Sequence, residues 1–94
     1  MKISRKKRER ILEQILALLY SITPKSIFTS YIAEEIARDE EFTKNLLLEL
    51  KTKKLVVEIK KNPKGIPYLK RIKWRLSDAV YKAYKNHQSF TKPI

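Results

Sequence analysis

The chain has 94 residues, 22 Lys and Arg against 10 Asp and Glu for a formal charge of +12, no cysteine and one histidine. That length fits one domain with a modest core and little room for a catalytic cleft. The lack of thiols excludes a disulfide framework or thiolate metal site, and His87 has no second histidine to join it as a ligand.

The charge is concentrated. Residues 1–10 carry six cations against Glu9, residues 60–75 carry seven and no acid, and the remainder has nine of each sign. Such blocks are an electrostatic footprint for a polyanion, of which nucleic acid is the commonest. The apolar run at residues 11–22 is interrupted by Glu13 and Gln14 and is too short to span a bilayer, and no signal peptide precedes it, so the expected location is cytoplasmic. Abundant Lys, Glu and Ile with a single Gly resemble the composition of heat-adapted proteins.

Ile11, Ile15, Leu18, Leu19 and Ile22 recur at helical spacing, with Leu12 and Leu16 widening the stripe, and predict a first helix over about residues 4–20. The breadth of that arc fits either deep burial in one subunit or contact with a second. Arg5, Lys6, Lys7 and Arg8 place cations at the positive end of the helix dipole, each unfavourable by roughly 0.3–1 kcal/mol. A phosphate partner would offset this, whereas a solvated terminus would merely tolerate it.

Thr23-Pro24 ends this element. Ile27 and Phe28 predict a very short strand, and Thr29 or Ser30 can cap a second helix carrying Tyr31, Ile32, Ala33, Ile36 and Ala37, with Glu34 and Glu35 in or near its first turn. Phe42, Leu46, Leu47 and Leu50 then mark a third amphipathic helix ending near residue 53. Two helices joined by a tight polar turn and followed by an alternating strand suggest a helix-turn-helix unit.

The run Ala33-Glu34-Glu35-Ile36-Ala37, the turn, and Leu46 through Val56 resemble a winged helix-turn-helix, in which a short helix like "AEELG" leads to a recognition helix ending like "LxxLxxKGLV". In this the chain resembles small archaeal-type MarR- and ArsR-like transcriptional regulators. The two usual glycines are here Ala37 and Lys54, so both turns must form without the most permissive residue. The resemblance implies a mostly helical α+β fold: a three-helix core, a two-stranded wing and an additional C-terminal helix.

The wing falls where the family has it. Leu55, Val57 and Ile59 alternate with Val56, Glu58 and Lys60 in one strand. Tyr68, Lys70, Ile72, Trp74 and Leu76 line one face of the next, and Leu69, Arg71, Lys73 and Arg75 the other. Residues 61–67, with Asn62, Pro63, Gly65 and Pro67, form a loop between them. Trp74 is expected in the core, beside Ile72 and Leu76, and Tyr68 near a ligand. Ser77 caps a last helix over about residues 78–86, with Val80, Ala83 and Tyr84 as its apolar side and Tyr81 a flank. A domain over residues 1–86 is thus followed by a loose tail over 87–94.

The expected contacts with double-stranded DNA are Arg5, Lys6, Lys7 and Arg8 of the N-terminal arm, Glu41, Lys44 and Asn45 of the recognition helix, and Lys60, Lys61, Lys64, Tyr68, Arg71 and Lys73 of the wing. Lys44 suits guanine or phosphate, Asn45 adenine, and Glu41 the amino group of cytosine. The resemblance implies a nucleoid-associated regulator that dimerises through its first and last helices. No cofactor, metal or membrane partner is expected. Alternatives are an RNA-binding winged helix, or a protein-interaction winged helix using an acidic patch of Glu34, Glu35, Asp39, Glu40 and Glu41 facing away from the wing. An enzyme finds little support, since poised acid, base or nucleophile clusters are missing from the sequence.

Overall fold

A computed structural model describes residues 4–68 and 71–91, residues 87–91 by backbone alone. In chain order the elements are α1 (Arg5–Ile22), β1 (Ile27–Phe28), α2 (Thr29–Glu35), α3 (Glu40–Thr52), β2 (Val56–Ile59), β3 (Lys73–Leu76) and α4 (Asp78–Thr91). The strands form one antiparallel sheet in the order β1-β3-β2. Among the described residues no helix is long and apolar enough to cross a membrane.

The core lies where three helices meet the inner face of this sheet. Ile11, Ile15 and Leu19 of α1, Ile32 of α2, Leu46, Leu47 and Leu50 of α3, Val56 of β2 and Trp74 and Leu76 of β3 form one buried cluster. Each such side chain contributes roughly 1.5–3 kcal/mol by leaving water. Much of the wide apolar arc of α1 is absorbed within the protomer, because Leu12, Leu16, Leu18, Tyr20 and Ile22 are partly buried against the same cluster. Of the alternating residues in the first hairpin strand, Val56 enters the core and sits opposite Leu76. Val57 and Ile59 face outward beside Arg75 and Lys73, whose aliphatic stems can cover them.

Several local expectations are corrected. The residue preceding α2 is Phe28, and no side chain caps that helix. Thr29 is buried, and its hydroxyl accepts the Trp74 indole N–H at 2.7 Å while contacting the Ile72 carbonyl at 3.4 Å. Glu34 and Glu35 fall at the end of the helix, where carboxylates oppose the dipole. The second hairpin strand is shorter than its alternation implies and begins at Lys73; just before it, the Ile72 carbonyl accepts from the backbone N–H of Thr29 at 3.2 Å. Leu69 and Lys70 lie outside the described residues, as do residues 1–3 and 92–94.

The last helix does start after Ser77, whose hydroxyl accepts from Val80 N–H at 3.3 Å. It continues to Thr91, so residues 87–91, expected as loose tail, have helical backbone. Its packing also differs from expectation. Val80 and Tyr81 meet the core, Ala83 is exposed, and Tyr20 of α1 packs against both Tyr81 and Tyr84 at ring separations of 5.4 Å.

Both missing glycines have direct structural counterparts. Ala37 (φ 54°) and Lys54 (φ 62°) are left-handed, each two residues past the last residue of its helix, Glu35 and Thr52. The Arg38 N–H reaches the Ala33 carbonyl and the Ala37 N–H that of Glu34; Leu55 and Lys54 repeat the pattern on Leu50 and Lys51. These are two Schellman motifs built on residues that pay for the left-handed conformation.

Candidate nucleic-acid interface

Helix α3 is capped by Asp39, whose carboxylate accepts from Phe42 N–H at 3.2 Å, and the Thr43 hydroxyl donates to the Asp39 carbonyl at 2.8 Å. Thr43, Leu46, Leu47 and Leu50 face the core. The opposite face presents Glu41, Lys44, Asn45 and Leu48, all exposed and spaced so that they share one side of the helix. Leu48 is the exception in character. It is 36% exposed and, unlike the neighbouring leucines, does not pack on the core.

This helix is tied to its surroundings by two ion pairs. Arg8 of α1 holds Glu49, with its guanidinium 2.7–2.9 Å from the carboxylate oxygens. Lys51 reaches Glu58 on β2 at 3.0 Å, and Lys60 approaches the same oxygen at 3.5 Å. The hydrogen bond from Arg8 holds the Glu49 carboxyl below its ordinary value. Burial alone would push Glu58 up, but the hydrogen bonds and charges of Lys51 and Lys60 outweigh it and also hold that carboxyl low.

Beside α3 the β2–β3 hairpin projects as a built loop. The Asn62 side-chain oxygen accepts from the backbone N–H of Lys64 and of Ile66, both at 2.9 Å. The Gly65 N–H reaches the Asn62 carbonyl at 2.9 Å and the Asn62 N–H the Ile66 carbonyl at 2.8 Å. Gly65 adopts φ +83°, which a side chain would resist. Lys61 bridges to Pro67, and the Tyr68 N–H donates to the Lys60 carbonyl at 2.8 Å.

Between helix and hairpin lies a concavity of about 410 Å³ lined by Lys44, Lys60, Lys61, Pro67, Tyr68, Arg71 and Ile72. A second, of about 470 Å³, lies towards the start of α2 and is lined by Phe28, Thr29, Ser30, Glu40, Glu41, Lys44, Arg71 and Ile72. Lys44 and Arg71 border both. Glu40 and Glu41 therefore face the root of the hairpin and its arginine, not away from it as an acidic docking patch would require.

Comparison with solved structures places this architecture. The complex of Staphylococcus aureus MepR with DNA superposes with a TM-score of 0.65 at 22% identity, covering 89% of this chain and 73% of that one. MepR in its DNA-binding conformation gives 0.67 at 21%, covering 89% and 62%. Lactococcus lactis ZitR, a zinc-responsive MarR family member, gives 0.53 at 20%, covering 97% and 57%. The fold is a MarR-like winged helix-turn-helix. This winged helix spans between 53% and 73% of the length of the MepR and ZitR chains it resembles. No protein-family model matches the sequence, and no curated protein matches it.

Within the winged helix, α2 and α3 are the helix-turn-helix and the β2–β3 hairpin is the wing. The sequence-derived contact residues divide into three groups. Lys44, Lys60, Lys61, Tyr68 and Arg71 converge on one concavity, with Glu41, Asn45 and Lys64 exposed on the same two elements. Arg5, Lys6 and Lys7 are exposed on the first turn of α1, where Arg5 lies 3.9 Å from Glu9.

Arg8 and Lys73 form the third group, since each is engaged inside the protomer. The Lys73 ammonium stands 5.0 Å from the Phe28 ring centre and 5.3 Å from that of Tyr68, and these rings meet edge-on at 5.3 Å. Arg71 adds a further cation 5.4 Å from Phe28. Phe28 was not foreseen as part of the site, because pairing with Lys73 depends on a register between residues 45 apart in sequence. Asn62 carried a signal, being an Asn followed by Pro, but its double acceptor role is visible only in three dimensions.

Proposed function

We propose that this chain is a sequence-specific duplex-DNA-binding protein acting as a transcriptional regulator. The observation that carries the reading is the junction of Lys44 on the recognition helix with Lys60, Lys61 and Arg71 on the wing around one concavity, in a segment without a single acid from residue 60 to 75. A protein that follows a duplex needs cations that track phosphates on both sides of a helix placed in the major groove. The exposed row Glu41, Lys44, Asn45 and Leu48 then faces base edges, with Asn45 suited to adenine, Lys44 to guanine, Glu41 to the cytosine amino group and Leu48 to the thymine methyl.

The arm residues Arg5, Lys6 and Lys7 are exposed and within reach of flanking phosphates, with Arg5 held only by a solvent-exposed pair to Glu9. Helices α1 and α4, joined through Tyr20, Tyr81 and Tyr84, form the surface through which we place a homodimer. Two recognition helices would then lie roughly 34 Å apart, one turn of DNA. The similarity of fold to a structure solved as a DNA complex supports this reading.

The test is fluorescence anisotropy of labelled random-sequence duplex DNA over a salt series, with matched duplex RNA and single strands. Binding that prefers duplex DNA and weakens with a log–log slope near −5, as about six neutralised phosphates would give, is the expected result. Lack of DNA binding at low salt, or a preference for RNA, would overturn it.

A further inference from the structure

The wing tip carries a side chain that the fold does not use. Ile66 is 58% exposed, the most exposed large apolar residue among those described. Its backbone is fully employed, with N–H donated to the Asn62 side chain and carbonyl accepting from the Asn62 N–H. The side chain takes no part in the core cluster or the residues packed against it.

A loop with this backbone would form equally well around a polar residue at position 66, and a wing that only gripped phosphates would favour one. Instead the apolar group is displayed on a turn held by four hydrogen bonds centred on Asn62, between Pro63 and Pro67, with Lys61 and Lys64 beside it. Rigidity matters here, because ordering a floppy loop on binding would cost much of what the contact returns.

Resting on the DNA-binding reading above, we propose that Ile66 is an apolar wedge: the Asn62-centred turn presents it to the minor groove of duplex DNA, where it partly unstacks a base step and bends the duplex. The minor groove is about 6 Å wide, and isoleucine is among the side chains able to act in this way. Lys61 and Lys64 hold the flanking phosphates while the wedge enters, so the charged and apolar parts of the tip have separate duties. Pyrimidine–purine steps, which unstack most readily, are the preferred points of entry.

The experiment uses the full chain and a mixed-sequence duplex much shorter than the persistence length of about 150 base pairs, carrying a donor and an acceptor dye at its two ends. Anisotropy reports binding and energy transfer reports bending. Saturating wild-type protein raises the transfer. Ile66→Ala, an exposed substitution that leaves thermal unfolding unchanged, still saturates the duplex but loses most of that rise. Lys64→Ala weakens binding and its salt dependence yet keeps the full rise at saturation.

Unchanged transfer on saturation by the wild type, or an equal bend from Ile66→Ala, would overturn the wedge while leaving DNA binding intact. Absence of any anisotropy change would remove both readings together.

Discussion

The indole N–H of Trp74 is donated to the hydroxyl of Thr29 over 2.7 Å, in a place where both side chains are buried. This bond joins the wing strand to the first residue of the helix-turn-helix, 45 positions earlier. Thr29→Val preserves shape but leaves the indole N–H without a partner, at a cost of about 1–3 kcal/mol. Thr29→Ser should retain most of the stability. Urea unfolding of the three proteins checks this, and equal midpoints for Val and Thr would refute it.

Ala37 and Lys54 both occupy left-handed backbone. A non-glycine residue there costs roughly 1–2 kcal/mol, while glycine gives back about 0.4–1 kcal/mol through the entropy of the unfolded chain. The first effect is larger. Ala37→Gly and Lys54→Gly should each stabilise the protein by about 0.5–1 kcal/mol, additively since they end different helices, as measured by thermal and denaturant unfolding.

Glu49 and Glu58 titrate below the ordinary 4.5 in the folded protein, so each favours folding while ionised. That contribution is present above the unfolded-state value and is lost as pH falls through the lower folded values. Stability should accordingly be level from neutral pH down to about 5 and decline below it. A Glu49→Gln, Glu58→Gln double variant should be less stable at pH 7 and show a shallower acid decline. Parallel curves for the two proteins would show that these ion pairs do not drive the acid response.

Arg8 and Lys64 make a useful contrast, one cation committed to Glu49 and the other exposed at the wing tip. Arg8→Ala should lower stability by about 1 kcal/mol, the scale of a partly exposed pair, and leave the salt slope of DNA binding unchanged. Lys64→Ala should change stability by no more than about 0.5 kcal/mol and reduce the slope by about 0.9. The reverse pattern would show that Arg8 is the phosphate ligand.

Leu48 offers a chemically narrow check on base readout. After selection of a preferred duplex from a random library, replacing thymines one at a time by deoxyuridine removes only the methyl group. One such replacement should weaken wild-type binding severalfold and have little effect on Leu48→Ala. If no replacement distinguishes the two proteins, Leu48 does not read thymine.

Most of the architecture was legible in periodicity, because long helices with regular apolar stripes and a strand ending in Trp74 and Leu76 declare their buried faces locally. Legibility failed wherever a residue had two plausible partners. Thr29 reads as a helix cap from its neighbours, but a buried indole 45 residues away claims its hydroxyl. Leu55, Val57 and Ile59 alternate with Val56, Glu58 and Lys60, but one-residue alternation cannot say which side of a sheet meets the helices, and Val56 takes the inner place. In the candidate site the sequence located the charge but not its internal commitments. Arg8 and Lys73 look as free as Lys64 until Glu49, Phe28 and Tyr68 are placed beside them.

The continuous ladder of the sheet stops at the row Phe28, Lys73 and Ile59, and the rest of the wing overhangs it. In mechanical terms the wing is a cantilever whose fixed end is the stack of Phe28, Lys73 and Tyr68. Phe28 is also the last residue before α2 begins. A load applied at the tip is therefore borne by the same residue from which the helix-turn-helix departs, and the stiffness of that joint governs how closely the wing and the reading helix move as one.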